Sequence, residues 1–268
     1  MTLKVRPHAP DAAGCVLEVT PESAGWHYVG FKVAKLRPGQ SHEGGEAGRE
    51  ACLVVLTGTA DVRVGAESYD GIGGRASVFE DKAPAAVYVP AGASYAVTAR
   101  SDVELAIGTA PGKPGRSARL IDPACMSREI RGQGTNQRFV RNILPETEPA
   151  DSLLVVEVIT PGGHWSSYPP HKHDSAAPGA ETALEETYYH RISPPQGFAV
   201  QRVYTDDRSL DETMTVEDGD VVMVPRGYHP AGAPHGYDLY YLNVMAGPHR
   251  QWIFRNDPAH EWIVKQSR

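Results

Sequence analysis

Nowhere in the 268 residues does an uncharged apolar run approach the eighteen or so positions that a membrane span requires. The opening MTLKVRPHAPDAAG has no apolar stretch of the kind that marks an export signal. Cationic charge is also in short supply. With 26 basic against 33 acidic side chains and a net charge of -7, the chain lacks the electrostatic footprint for nucleic acid or an anionic membrane. Cysteine is scarce and odd in number: Cys15, Cys52 and Cys125 lie far apart, with neither a disulfide framework nor a metal or redox spacing. These absences lead us to expect a cytoplasmic protein whose thiols are packing residues and whose default partner is a small molecule.

Turn formers are abundant. Twenty-seven glycines and 22 prolines punctuate short β-branched runs such as ACLVVLTG, AAVYVPAG, SLLVVEVIT, GFAVQRVYT and DVVMVPRG, which is an all-β pattern. The helical candidates are few: DPACMSREIRG near the middle, and SLDETMTVEDG, which reads equally well as a turn and strand. A weak internal repeat divides the chain in two. VYVPAG at Val87 to Gly92 recurs 135 residues later as VMVPRG at Val222 to Gly227, each a strand stopped by Pro-x-Gly. Residues 1–118 are therefore expected to form a first domain, 119–149 a connector just past the Pro/Gly-rich stretch Pro111–Gly115, and 150–268 a second domain.

Chemistry concentrates in the second half. Alternate side chains of a strand share a face, so in YPPHKHD the imidazoles of His171 and His173 are expected to point the same way and Lys172 the opposite way. In LEETYYHRI, Glu186, Tyr188 and His190 share one face, and Glu185 needs a local turn to join them. His229 follows the turn at Pro225 and Gly227, whereas the first copy of the repeat continues with Ala93, Ser94 and Tyr95. Three imidazoles and a carboxylate suit one divalent ion, Zn or Mn foremost and Fe, Co or Ni as alternatives, with positions left for water or substrate. A His-x-His pair in isolation is more often a solvated loop than a ligand set, so the weight rests on the company of Glu186 and His229.

This order of Gly, His-x-His, Glu, then Gly219, Pro225, Gly227 and His229 resembles the two motifs of the cupin superfamily, whose jelly-roll barrels bind a metal inside. Two spacings depart from that pattern: Glu186 follows His173 by thirteen positions, and His229 follows Gly227 by two. A more specific resemblance covers YPPHKHD, LEETYYHRISPPQGFAVQRVYTDD and DGDVVMVPRGYHPAGAPHGYDLYYLNVMAGPHRQW, with RGQGTNQRFVRNIL ahead of them. These stretches look like the 5-deoxy-glucuronate isomerases of inositol breakdown, bicupins related to the uronate ketol-isomerases of pectin breakdown.

The resemblance implies two jelly-roll barrels, with one metal per chain on His171, His173, Glu186 and His229. It also implies conversion of a uronic aldose acid into its ketose isomer, with a sugar acid as the small-molecule partner. A base or acid is sought among Glu185, Tyr188 and Tyr241, with Tyr240 and His235 as further candidates. The substrate carboxylate calls for a planar fork of donors, for which Arg202 and Arg226 are the candidates, with Lys172 as an additional cation. In the first barrel His42 and Glu50 could mimic a ligand pair, but Ser94 and Tyr95 stand where the last histidine belongs. That barrel is expected to lack a complete metal site and to serve structure, including contact within a homo-oligomer. Competing functions are an iron-dependent dioxygenase and a non-enzymatic sugar-binding or storage bicupin.

Overall fold

The computed structural model describes residues 2–266. The chain divides into two compact units, one made of Pro7–Ser127 and Ile143–Val155 and the other of Met1–Arg6, Arg128–Asn142 and Val156–Arg268. Both are β-structures, and among the described residues no helix is long and apolar enough to cross a membrane. The expected connector, 119–149, is not a single linker. It carries strands Arg119–Ile121, Arg128–Arg131 and Arg138–Leu144, and its residues are shared between the units.

In the first unit the strand Arg49–Val64 runs sixteen residues and pairs on both sides. Its first half joins Ala85–Val89 and Val103–Pro111, and its second half joins Glu67–Arg75 and Tyr95–Ala99. A single strand can serve two sets of partners because its register shifts at Val55/Thr57 and Gly58/Thr59. Gly58 has a φ of +82° there, and a Cβ would lie 2.1 Å from the Asp102 carbonyl oxygen. The bulge bends the strand and curls the sheet around a core that includes Leu36, Leu53, Val55, Val62, Val97, Leu105 and Ile107.

The second unit is built on a seven-stranded sheet. Strand Glu185–Ser193 lies inside it between Val221–Val224 and Asp238–Ala246, in unbroken antiparallel register on both sides. A four-stranded sheet contains Ala199–Tyr204 and Asp211–Val216. The edge beyond Val221–Val224 is taken by Lys4–Val5, from the start of the chain.

Neither helical candidate forms an α-helix. DPACMSREIRG gives a 3-10 turn at Pro123–Cys125, capped by Asp122, and then the strand Arg128–Arg131. Its backbone groups are claimed by Arg138–Arg141, so the pairing partner overrides local preference. SLDETMTVEDG supplies the strand Asp211–Val216, whose exposure alternates along the chain.

Candidate metal centre

Glu186 is the second residue of its strand, held between Val224 and Met245 and 1 % exposed. His229 is delivered by the turn that ends the neighbouring strand. Gly227 has a φ of +92°, its N–H donates to Asp174 Oδ2 at 2.9 Å, and a Cβ would lie 2.4 Å from the Tyr204 carbonyl oxygen. Only glycine fits that approach. The flanking residue is locked as well, because Tyr204 and Tyr228 exchange backbone hydrogen bonds at 2.7 and 2.9 Å. His171 belongs to a two-residue strand paired with Arg255–Asn256. His173 follows it, and its carbonyl accepts from the Leu184 N–H.

These elements bring His173, Glu186 and His229 together, with one ligand atom from each lying within 4.8 Å of the others. The tautomers follow from the partners. His229 Nδ1 lies 2.8 Å from the Gly227 carbonyl and His173 Nδ1 lies 3.2 Å from the Leu184 carbonyl. A carbonyl only accepts, so each Nδ1 carries a proton and each Nε2 is left turned towards the carboxylate. Glu186 Oε2 lies 3.0 Å from His173 Nε2 and 3.3 Å from His229 Nε2. The His229 Nε2 is buried with no hydrogen-bond partner in the structure. A buried polar nitrogen without a partner is costly unless something binds it. Two imidazoles oriented by carbonyls and converging with a carboxylate fit a divalent metal.

His171 adjoins this group. Its ring centroid is 5.0 Å from that of His229 and 6.4 Å from that of His173, and it packs against Phe254 at 4.4 Å. Burial, followed by the repulsion of His229, His173, Arg138 and Arg131, holds its pKa well below the usual imidazole value. Burial likewise holds His229 down to about 4, against the attraction of Glu186. His173 differs: burial opposes its charge, but the Glu186 carboxylate outweighs that and raises it.

Tyr188 and Tyr241 form the wall beside the cluster. Their rings lie 4.8 Å apart, and the Tyr188 ring is 5.7 Å from that of His229. The Tyr188 hydroxyl pairs with Ser167 Oγ at 2.9 Å, and the Tyr241 hydroxyl pairs with Ser166 Oγ. Burial raises both phenols above their ordinary range, so they stay protonated at neutral pH. Glu185 is placed otherwise. Its strand shows no turn at that position, so alternation sends the side chain to the face opposite Glu186. Tyr240 donates to Glu157 Oε2 at 3.0 Å, and His235 is exposed in the loop before strand Asp238–Ala246.

The three expected carboxylate binders are engaged elsewhere. Lys172 Nζ pairs with Asp206 and Asp174 at 2.7 and 2.9 Å. Desolvation works against its charge, but those two carboxylates prevail and raise its pKa. Arg202 forms a fork with both oxygens of Asp211 at 2.7 Å, and Arg226 is exposed beside Ser209. Sequence places His190 on the Glu186 face but assigns no role to it, to Gln201 or to Arg138. His190 is fully buried and neutral, its pKa held near 4 by burial, and its Nε2 lies 2.9 Å from Gln201 Oε1. Gln201 donates in turn to the His229 carbonyl at 3.4 Å. Arg138, within RGQGTNQRFVRNIL, lies close enough for its charge to lower the pKa of both Tyr188 and Tyr241. Its one signal is membership of that stretch.

The pair His42 and Glu50 in the first unit does not match this arrangement, because the oxygens of Glu50 are already taken, although His42 Nδ1 is held by the Ala13 carbonyl at 3.0 Å much as the other imidazoles are held. Glu50 accepts from the Tyr88 hydroxyl and from the backbone N–H groups of Asp151, Ser152 and Leu153 at 2.6–2.7 Å.

A curled all-β unit carrying clustered histidines and a buried glutamate defines the class: the chain has the cupin fold, in the two-barrel form. It belongs to the KduI/IolB family, which it matches over residues 3–263. A relative from Geobacillus thermodenitrificans, named 5-deoxy-glucuronate isomerase, is 58% identical over 258 residues, covering 96% of this chain and 94% of the relative. The crystal structure of an IolB-like protein from Salmonella typhimurium superposes with a TM-score of 0.95 at 50% identity, covering 98% of this chain and all of that one. Oxalate decarboxylase from Bacillus subtilis, a protein with Mn(II) centres, shares the fold at a TM-score of 0.65 and 15% identity, covering 95% of this chain and 79% of that one. The chain is thus an enzyme of the isomerase class.

Proposed function

We propose that this protein is a metal-dependent aldose–ketose isomerase that converts 5-deoxy-D-glucuronate into 5-dehydro-2-deoxy-D-gluconate. The observation that carries the reading is the 58% identity, over nearly the whole chain, to a relative named for that substrate. The side chains described above supply chemistry in keeping with it. His173, Glu186 and His229 would hold one divalent ion, with His171 beside them as the fourth ligand and Zn or Mn as the ion. When bound, such an ion supplies Lewis-acid polarisation to the sugar's carbonyl and neighbouring hydroxyl.

The isomerisation moves a hydrogen from C2 to C1 while the carbonyl moves from C1 to C2. Charge gathers on the two oxygens as that happens, and protonated donors near them lower the barrier. Tyr188 and Tyr241 keep their Oη protons at neutral pH and are steadied by Ser167 and Ser166, which suits them to protonate or hydrogen-bond those oxygens. The buried aromatic wall excludes water, so the donors act in a low dielectric where they count for more. Three free thiols accord with action in the cytoplasm.

The test is direct. Purified protein should contain about one equivalent of divalent metal and isomerise 5-deoxy-glucuronate without consuming oxygen. Chelation should abolish turnover and added metal should restore it, and His173→Ala or His229→Ala should lose metal and activity together. If no divalent metal supports turnover of the uronic aldose, the reading fails.

A further inference from the structure

The antiparallel pair of Arg128–Arg131 with Arg138–Leu144 sets Arg131 directly opposite Arg138. Like charges facing one another across a ladder are destabilising, so the arrangement calls for an explanation. Arg131 has one: its Nε lies 2.9 Å from Glu129 Oε2, and its guanidinium stacks over Trp252 at 4.9 Å from the ring centroid. Arg138 does not share it. Only its Nη1 is used, donating to the carbonyls of Asn136 at 3.2 Å and Tyr168 at 3.1 Å. Among the described residues no carboxylate lies within ion-pair distance of it, and Nε and Nη2 make no hydrogen bond.

Position adds to this. The accepting carbonyl of Tyr168 begins the Pro169–Pro170 segment that leads straight into His171. Tyr168 also directly follows Ser166 and Ser167, whose hydroxyls pair with those of Tyr241 and Tyr188, which places Arg138 on the side of the metal centre where the two phenols lie. Its own charge is poorly solvated, since burial disfavours it more than the nearby phenols and Arg131 alter it. A guanidinium nevertheless stays protonated, and its planar fork matches a carboxylate bidentately. A desolvated cation with a spare pair of donors, beside a centre that handles a sugar's carbonyl end, is suited to the acid at the other end of the same molecule.

We propose that Arg138 is the residue that binds the substrate's carboxylate and makes the enzyme select uronic-acid aldoses over neutral ones. This rests on the isomerase reading above and names the cation that Lys172, Arg202 and Arg226, all engaged or exposed elsewhere, do not supply.

The experiment compares wild type with Arg138→Met and Arg138→Lys, using 5-deoxy-glucuronate as substrate and D-glucuronate against D-glucose as competing inhibitors. Arg138→Met should raise KM about 100-fold, as expected when a charge-assisted fork is lost, while metal content stays at the wild-type level. The preference for glucuronate over glucose as inhibitor should fall towards one. Arg138→Lys, which keeps the charge and loses the fork, should lie between the two. Either variant with full metal, wild-type KM and an unchanged acid-over-neutral preference overturns the proposal. Should Arg138→Met fail to fold, Arg138→Lys decides by the same readouts. Wild-type protein that binds glucuronate but turns over no uronic aldose refutes the isomerase reading instead, and calorimetric binding of glucuronate to wild type and variants still decides the role of Arg138.

Discussion

Glu50 and Glu186 are both buried to within 1 % of complete, stand at the start of comparable strands, and do opposite work. Around Glu50 every neighbour is a donor: one phenol and three backbone N–H groups saturate its oxygens. Burial and the carboxylate itself push the Tyr88 phenol far up, which keeps it a donor. Around Glu186 the neighbours are imidazole nitrogens whose other ring atoms are already committed to carbonyls. The first arrangement leaves no carboxylate lone pair for a cation and the second favours one. Each hydrogen bond to a charged acceptor contributes on the order of 1.5–3 kcal/mol. Glu50→Gln turns an amide NH2 towards the same donors, so it should cost on the order of 3 kcal/mol in urea unfolding with bound metal unchanged. Loss of metal from that variant would restore Glu50 as a ligand. Sequence separated the two glutamates only by their company, through Ser94 and Tyr95 standing where His229 stands in the second copy, and the donors that saturate Glu50 were not readable because they come from groups far away along the chain.

Strands were readable from composition because each run of β-branched residues is closed by Gly or Pro, and alternation correctly put Glu186, Tyr188 and His190 on one face. The repeated Pro-x-Gly turn was readable for the same reason: both glycines are left-handed, at φ +82° for Gly92 and +92° for Gly227. Their surroundings were not readable. A Cβ at Gly92 meets nothing within 4 Å, whereas at Gly227 it meets the Tyr204 carbonyl at 2.4 Å. Gly92→Ala should therefore cost about 1–3 kcal/mol of backbone strain and leave metal binding intact. Gly227→Ala adds a steric overlap that must push His229 off Glu186, so metal affinity and activity should fall with stability. Equal metal content in the two variants would show that this turn does not set the ligand position. Arg138 was hidden for a related reason: whether a strand's arginine is paired or spare depends on partners that only the ladder reveals.

Across the whole molecule, the β-branched runs closed by Gly and Pro and the repeat half a chain apart pointed to two β-units, yet neither unit is a continuous stretch of sequence. Residues 1–6 belong with 156–268 because Lys4 and Val5 pair with Val222 and Val221, and the Leu3 carbonyl accepts from the Met223 N–H at 2.8 Å. Pairing between positions so distant in sequence leaves no local trace, since a two-residue strand has no period to detect. The contribution can be estimated from its parts. Leu3 is buried, which is worth about 2 kcal/mol, and the ladder adds about 1 kcal/mol per hydrogen bond. Lys4 also ties its ammonium to the Thr215 carbonyl at 2.8 Å, beside Asp220. Removing residues 1–6 should thus lower the stability of the metal-bearing unit by about 2–3 kcal/mol. It should also bare the edge of Val221–Val224, the strand that runs into the Pro225–His229 turn, and an open edge invites pairing with another chain. Chemical denaturation followed by tryptophan fluorescence, together with light scattering, reads both effects. An unchanged midpoint and no added association would mean that the strand is ornamental and that residues 156–268 close their own sheet.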